Sequence, residues 1–286
     1  MSQGNFLIRS AVKTDFPLLE TFILPYEHFC VQLASFIRRK EKDIYIFFKS
    51  SPLPEIWGII YLNKALFHCL PFLKTEEDLN SFSPVLNDFL EDKKIKTIIG
   101  TKTQTELLLK TPVLKAKNLN QKNFYILMTL QTLPPDPPSP LNPCDEIKRC
   151  TEYDLENLLD LQKKYLIKEV APAGKKVTDL ECSLGLKEML KNQLVLALTS
   201  DGEIVSKANT NAIGINWVQL GGVYTHPLYR NNYYAWHLIR VLCYRIMKTQ
   251  KNVCLFVKEK NTPASNLYNR MGFSEKEGFE IVYFTA

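Results

Sequence analysis

Two stretches in the C-terminal half carry residue types at spacings that can do chemistry. The first is Leu220-Gly221-Gly222-Val223-Tyr224-Thr225-His226-Pro227-Leu228-Tyr229-Arg230-Asn231-Asn232-Tyr233-Tyr234-Ala235. It reads as a strand ending near Pro227, a tight turn, and a helix beginning near Asn232. Amides at a helix start have no internal acceptor, and the helix dipole adds partial positive charge there. An anion such as a diphosphate is well held at that position. Arg230, just ahead of the turn, adds a full charge and a fork of donors. Read alone, the stretch also fits an ordinary strand–turn–helix connection. The second stretch is Asn261-Thr262-Pro263-Ala264-Ser265-Asn266-Leu267-Tyr268-Asn269-Arg270-Met271-Gly272-Phe273. It places an Asn at a strand end and starts a helix at Pro263, with Ala264, Leu267, Tyr268 and Met271 on one face. Gly272 suits a left-handed cap, after which Phe273 turns back into the core. Tyr268 on that inner face also suits a plain buried aromatic.

The charge around these stretches has one sign. From Ile204 to Lys258 there is no Asp or Glu, whereas Lys207, Arg230, Arg240, Arg245, Lys248, Lys251 and Lys258 are basic, within a chain whose net charge is +6. An anionic ligand would explain such a segment.

The elements that must position these residues follow from periodicity and punctuation. Leu133-Pro134-Pro135-Asp136-Pro137-Pro138-Ser139-Pro140-Leu141-Asn142-Pro143 supports neither a helix interior nor a central strand and reads as an extended spacer. It divides the chain into domains 1–132 and 144–286, joined by a Pro-rich linker at 133–143. Each side reads in the same order: strand, two helices, three strands, helix, strand, helix, strand. In the second half these are a strand around Ile147–Cys150, helices from Asp154 and over Thr178–Lys191, and strands at Leu194–Thr199, Ile204–Thr210 and Trp217–Thr225. A helix over Asn232–Lys248, a strand at Val253–Val257, a helix from Pro263 and a strand near Phe279–Phe284 follow. The expected fold class is α/β, with two tandem domains that are each a mixed sheet flanked by helices.

Together the two stretches resemble the GNAT acyltransferase superfamily. The first is similar to its coenzyme-binding stretch. The second matches its Asn-x-x-Ala-x-x-x-Tyr-x-x-x-Gly-Phe pattern at Asn261, Ala264, Tyr268, Gly272 and Phe273. The resemblance implies that main-chain groups of Val223, Tyr224 and Thr225 pair with the pantetheine arm of an acyl-coenzyme A. It implies that amides of Asn231, Asn232, Tyr233, Tyr234 and Ala235 hold the diphosphate beside Arg230, that Asn261 hydrogen-bonds the pantetheine, and that Tyr268 is the general acid. The reaction implied is direct attack of an amine on the thioester, with acetyl-coenzyme A as the default donor and the amine acceptor left open. The N-terminal half is similar in element order only. Its counterpart of the phosphate loop, around Pro71–Glu76, has neither glycine nor arginine.

The sequence departs from the family pattern at two points. Tyr233 stands where the loop has glycine, and Asn231 where a second glycine is common. Asn accepts a positive φ readily. Tyr233 either swings outward and leaves the amides free or crowds the diphosphate. The base is unassigned. The central strand offers Gln219 where many members have Glu, His226 sits at a strand end, and Glu169 reads as a solvated helix end that could reach the cleft.

Composition bounds the rest. The chain has 286 residues, 45% hydrophobic and 23% charged, which is ordinary globular composition. No apolar run reaches the ~18 residues of a membrane span, and the start lacks a secretory signal, so the expectation is a cytoplasmic protein with no membrane partner. Seven scattered cysteines and four unclustered histidines predict neither a metal nor a disulfide framework. Two rival readings remain. One is a non-catalytic acyl-coenzyme A sensor. The other is a nucleic-acid binder, disfavoured because the aromatics near the basic residues fall on predicted core faces. Oligomeric state is not legible.

Overall fold

A computed structural model describes residues 6–50, 55–172 and 174–285. The chain divides into two compact units. The first comprises residues 1–127, 257–260 and 275–286, and the second residues 128–256 and 261–274.

In the first unit the order is β1 (Phe6–Ser10), α1 (Phe16–Ile23), α2 (Val31–Arg38), β2 (Ile44–Lys49), β3 (Glu55–Asn63), β4 (Ala65–Cys69), α3 (Glu76–Leu90), β5 (Thr97–Thr101), α4 (Lys102–Leu108), α5 (Pro112–Lys115) and the start of β6 (Leu119–Leu130). Strands rich in Ile, Tyr and Phe pair antiparallel from β1 to β4, and β4 pairs parallel with β5. The core gathers Phe47, Trp57, Phe82, Leu86 and Ile98. Phe6 and Phe82 meet edge to face with ring centroids 5.6 Å apart. Helix α3 begins with a capping box in which Thr75 and Asp78 satisfy each other's backbone, and Glu76 and Glu77 join Asp78 in its first turn. The Asp78 carboxylate accepts from the Lys74 and Thr75 amides just ahead of the helix. The two glutamates add further negative charge to the first turn, which disfavours an anion there.

In the second unit the order is β7 (Asp145–Arg149), α6 (Leu155–Tyr165), α7 (Asp179–Asn192), β8 (Val195–Ser200), β9 (Glu203–Ile213), β10 (Trp217–Thr225), α8 (Tyr234–Met247), β11 (Asn252–Lys258) and α9 (Thr262–Arg270). Strands β7 to β10 pair antiparallel in sequence order, and β11 joins β10 in parallel. Leu158, Leu186 and Leu190 of α6 and α7 pack on Val195 and Ala197. The expected element order, strand composition and mixed sheets are therefore what the chain forms.

Two features lie outside the expectation. The last strand, β12 (Ser274–Phe284), pairs antiparallel with β5, from Phe279↔Thr101 to Tyr283↔Thr97, so residues 275–286 complete the first unit. A single cut in the Pro-rich stretch cannot describe that arrangement. The stretch itself is no free spacer. It runs without helix or strand along α8, where the Trp236 Nε1–H donates to Pro135 O at 3.0 Å and Arg240 Nε donates to Pro134 O at 3.2 Å. Arg240 also pairs with Asp136 at 2.7 Å. Proline carbonyls keep their acceptor although the ring removes the donor, and α8 supplies the missing partners.

Candidate functional site

The residues singled out by sequence all lie in the second unit. Strand β10 pairs with β11 from Trp217↔Asn252 to Leu220↔Leu255, and with β9 on its other side. Past Leu220 the register with β9 shifts between Gly221 and Tyr224, so Gly222 and Val223 belong to neither register. This bulge needs its glycine. Gly222 has φ +60, and a Cβ there would overlap the Asn209 amide oxygen.

Behind the bulge lies a lysine. Lys207 of β9 is completely buried, and its Nζ donates to Gly222 O at 2.9 Å and to Asn209 Oδ1 at 3.2 Å. It sits 4.9 Å from the centroid of the Tyr165 ring. Burial brings its pKa down to about 7.

After β10 the chain makes one tight helical turn at Pro227–Tyr229, capped by the His226 side chain accepting from the Leu228 amide. Arg230 Nε donates to Thr225 O at 3.2 Å, and its guanidinium carbon lies 5.8 Å from the Tyr224 ring centroid. Asn231 (φ +67) and Tyr233 (φ +56) both take the left-handed conformation. The loop thus keeps a glycine-type backbone at both positions where glycine was expected. The helix accordingly begins at Tyr234 rather than Asn232. The Tyr233 ring packs edge-on to Trp236 at 6.3 Å between centroids, with the Arg270 guanidinium carbon 5.9 Å from its centroid. Tyr234 is buried and its hydroxyl donates to Asp145 Oδ1 at 3.1 Å. In α8 the His237 amide takes Tyr233 O, leaving the amides of Tyr234, Ala235 and Trp236 to the helix end.

Helix α9 closes the site. Asn261 caps it, accepting from the Ala264 amide at 3.3 Å, while its Nδ2 donates to Glu169 Oε2 at 3.3 Å. Both polar ends of Asn261 are thereby engaged. Glu169 lies on a short π-helical turn, Leu166–Val170, that extends α6, and it is half-buried rather than a solvated helix end. Tyr268 is buried 5.7 Å from Phe273 between ring centroids. Burial raises its phenol pKa, and the neighbouring Tyr165 and Glu169 raise it further. Tyr165, at the end of α6, is pushed up to about 12 by burial against a main-chain hydrogen bond with Gly222. Gly272 (φ +90) ends α9 with Phe273 N–H on Tyr268 O at 3.0 Å and Gly272 N–H on Asn269 O at 3.0 Å.

Known proteins place this geometry. The family model described as FR47-like protein matches residues 201–282, which span the bulge, the loop and α9. A solved Drosophila protein aligns over 99% of this chain and 99% of its own with TM-score 0.69 at 9% identity. A GCN5-related N-acetyltransferase from Sphaerobacter thermophilus aligns over 99% of this chain and 96% of its own, with TM-score 0.58 at 14% identity. The chain has the GNAT fold. An acetyltransferase of the GNAT family from Colwellia psychrerythraea shares that fold over 98% of this chain and all of its own, with TM-score 0.57 at 11% identity. No curated protein matches the chain in sequence.

Within the GNAT frame the second unit brings Asn261, Tyr268 and Glu169 into one cluster and sets Arg230 and the α8 amides at one loop. His226 is spent on its own turn, and Gln219 sits in the sheet register opposite Ala212. Sequence reasoning passed over Tyr165 and Lys207. Val205-Ser206-Lys207-Ala208 is polar at two of its four positions and gives no sign that β9 is buried along this run. The basic stretch is largely consumed internally. Arg240 holds the Pro-rich segment, Lys251 donates to Gly214 O and Ile215 O, and Lys248 lies 4.4 Å from the Tyr244 ring centroid.

Proposed function

We propose that the second unit is an acyl-coenzyme A-dependent N-acyltransferase, with acetyl-coenzyme A as donor and an amine as acceptor. The observation that carries this reading is the left-handed backbone at Asn231 and Tyr233. It keeps a glycine-type phosphate loop in front of α8 and turns the Tyr233 ring toward Trp236. Amides of Asn231 to Ala235 with Arg230 then receive the diphosphate, in a segment free of carboxylates. Main-chain groups of Val223, Tyr224 and Thr225, past the end of the β11 pairing, receive the pantetheine.

In the reaction the amine nitrogen attacks the thioester carbonyl carbon, and the tetrahedral intermediate expels the thiolate of coenzyme A. Glu169, the carboxylate that acts on Tyr268, takes the proton released by the amine. The buried Tyr268 phenol is protonated throughout the physiological range and delivers its proton to sulfur. A phenol is a weaker acid than an ordinary thiol, whose pKa is about 8.5, so this transfer is concerted with C–S cleavage rather than preceding it.

Calorimetric titration with acetyl-coenzyme A, followed by release of free thiol in the presence of amines, tests the reading. Arg230→Ala should weaken binding about tenfold, the worth of one charge-assisted hydrogen bond. Tyr268→Phe should keep binding and lower kcat about a hundredfold. Binding without turnover, indifferent to Tyr268→Phe, would favour a non-catalytic acyl-coenzyme A sensor, and absence of binding to the wild type would end both readings.

A further inference from the structure

A buried lysine is costly, and this one has no carboxylate to offset it. The ionisable groups acting on Lys207 are Cys150 at the end of β7 and Cys182 on α7, and Tyr165 of α6 lies against it. Burial pushes the Cys150 thiol up to about 12, raises Cys182, and takes Tyr165 to about 12, so all three are neutral at pH 7. Its cross-strand neighbours are Ala197 on β8 and Tyr224 on β10, the latter with Arg230 over its ring. Helix α8 packs on the same strands, and none of its groups acts on the ammonium. Replacing such a residue by a hydrophobe of similar size is commonly neutral or stabilising, so packing alone gives no reason for it.

What Lys207 does hold is one peptide group. Its Nζ donates to Gly222 O, and a trans peptide carries its N–H on the side opposite its C=O, so the Val223 N–H faces away from the lysine. Val223 lies in the bulge, outside both strand registers. A donor on the oxygen of an amide makes the N–H of that same amide a stronger donor, and a low local dielectric enlarges the effect. We propose that Lys207 is a positioning residue for acyl transfer: it fixes and polarises the Gly222–Val223 peptide so that the Val223 N–H stabilises the thioester oxygen as it becomes negative. The inference rests on the reading of this site as an acyltransferase. The ammonium form does the work, so the effect is present below neutrality and fades as pH rises through the lysine's depressed pKa. Tyr165, bonded to the neighbouring Gly222 and acting on Tyr268, ties the same bulge to the general acid.

Amide NMR of the whole, ligand-free chain tests the coupling without any activity. Between about pH 5.5 and about pH 9 the Val223 amide resonance should titrate with a midpoint near neutrality, well below the ordinary lysine range. In Lys207→Met that titration should vanish. In turnover, Lys207→Met should lower kcat about tenfold and leave KM for acetyl-coenzyme A within about twofold, since an interaction made mainly in the transition state is lost. A Val223 amide in the wild type that is silent across this range overturns the inference, whether or not the variant folds. So does a variant with wild-type kcat. A responding amide in a chain that neither binds nor turns over acetyl-coenzyme A would instead overturn the reading of the site.

Discussion

A left-handed backbone costs a residue with a Cβ about 1–2 kcal/mol, less for Asn than for most. The phosphate loop takes on that cost twice, at Asn231 and Tyr233. Asn231 is exposed. Asn231→Gly should therefore raise stability by about 0.5 kcal/mol, the strain relieved less the added freedom of glycine in the unfolded chain, and leave acetyl-coenzyme A affinity unchanged or tighter. Thermal unfolding with and without ligand checks both, and a loss of stability would mean the Asn side chain holds the loop. Tyr233 differs, because its ring packs on Trp236 and under Arg270, and that packing offsets its strain. The sequence left open whether this tyrosine turns outward or blocks the loop, since the answer depends on a partner, Arg270, in another helix. The placement of Asn261 and Tyr268 on α9 was legible because their offsets lie within one helix. Lys207 and Tyr165 were not, because α6 brings the Tyr165 ring against Lys207 of β9 behind a bulge whose register no local pattern encodes.

Helix ends were legible where a cap is written in adjacent residues. Thr178 with Glu181 starts α7 and Gly272 ends α9, each where the residue chemistry places it. The π-turn after α6 has no such signature, so its effect on Glu169 could not be foreseen. The start of α9 carries two tasks at once, because Asn261 is both the cap and the partner of Glu169. Asn261→Ala should lower stability by about 1 kcal/mol through loss of the cap, and it should also release the carboxylate from its donor. Asn261→Asp restores the cap acceptor but sets a second carboxylate against Glu169. Chemical denaturation should then show the Asp variant recovering much of the lost stability at pH 7, while kcat remains depressed in both. Recovery of kcat along with stability would mean that Asn261 serves the helix alone and that Glu169 needs no partner.

Across the whole molecule, the order of elements repeats in both halves of the sequence, but the two compact units do not divide where its composition changes. Proline density marked residues 133–143 as a boundary, and hydropathy cannot reveal that α8 supplies the acceptors of that segment with donors. Nor can it reveal that the final strand completes the earlier unit. Val282 and Phe284 of β12 are buried in the cluster that holds Phe82, Leu86 and Ile98, and β12 is paired along β5 from Phe279 to Tyr283. Ending the chain after Ser274 would strip β5 of that pairing and take the buried Phe279, Val282 and Phe284 out of the core. Each buried apolar side chain is worth about 1.5–3 kcal/mol, so the three together approach the ~5–15 kcal/mol that holds a domain folded. Hydrogen exchange on the truncated chain should show β2, β3 and β4 losing protection, although none of them lies near the cut in sequence. The amides of β8, β9 and β10 should keep theirs, because the second unit ends at Ser274. Protection that survives in β2 to β4 would show that the first unit is complete without β12. Collapse of β8 to β10 as well would show that the second unit cannot stand once the first is lost, and that the GNAT fold here is one cooperative structure.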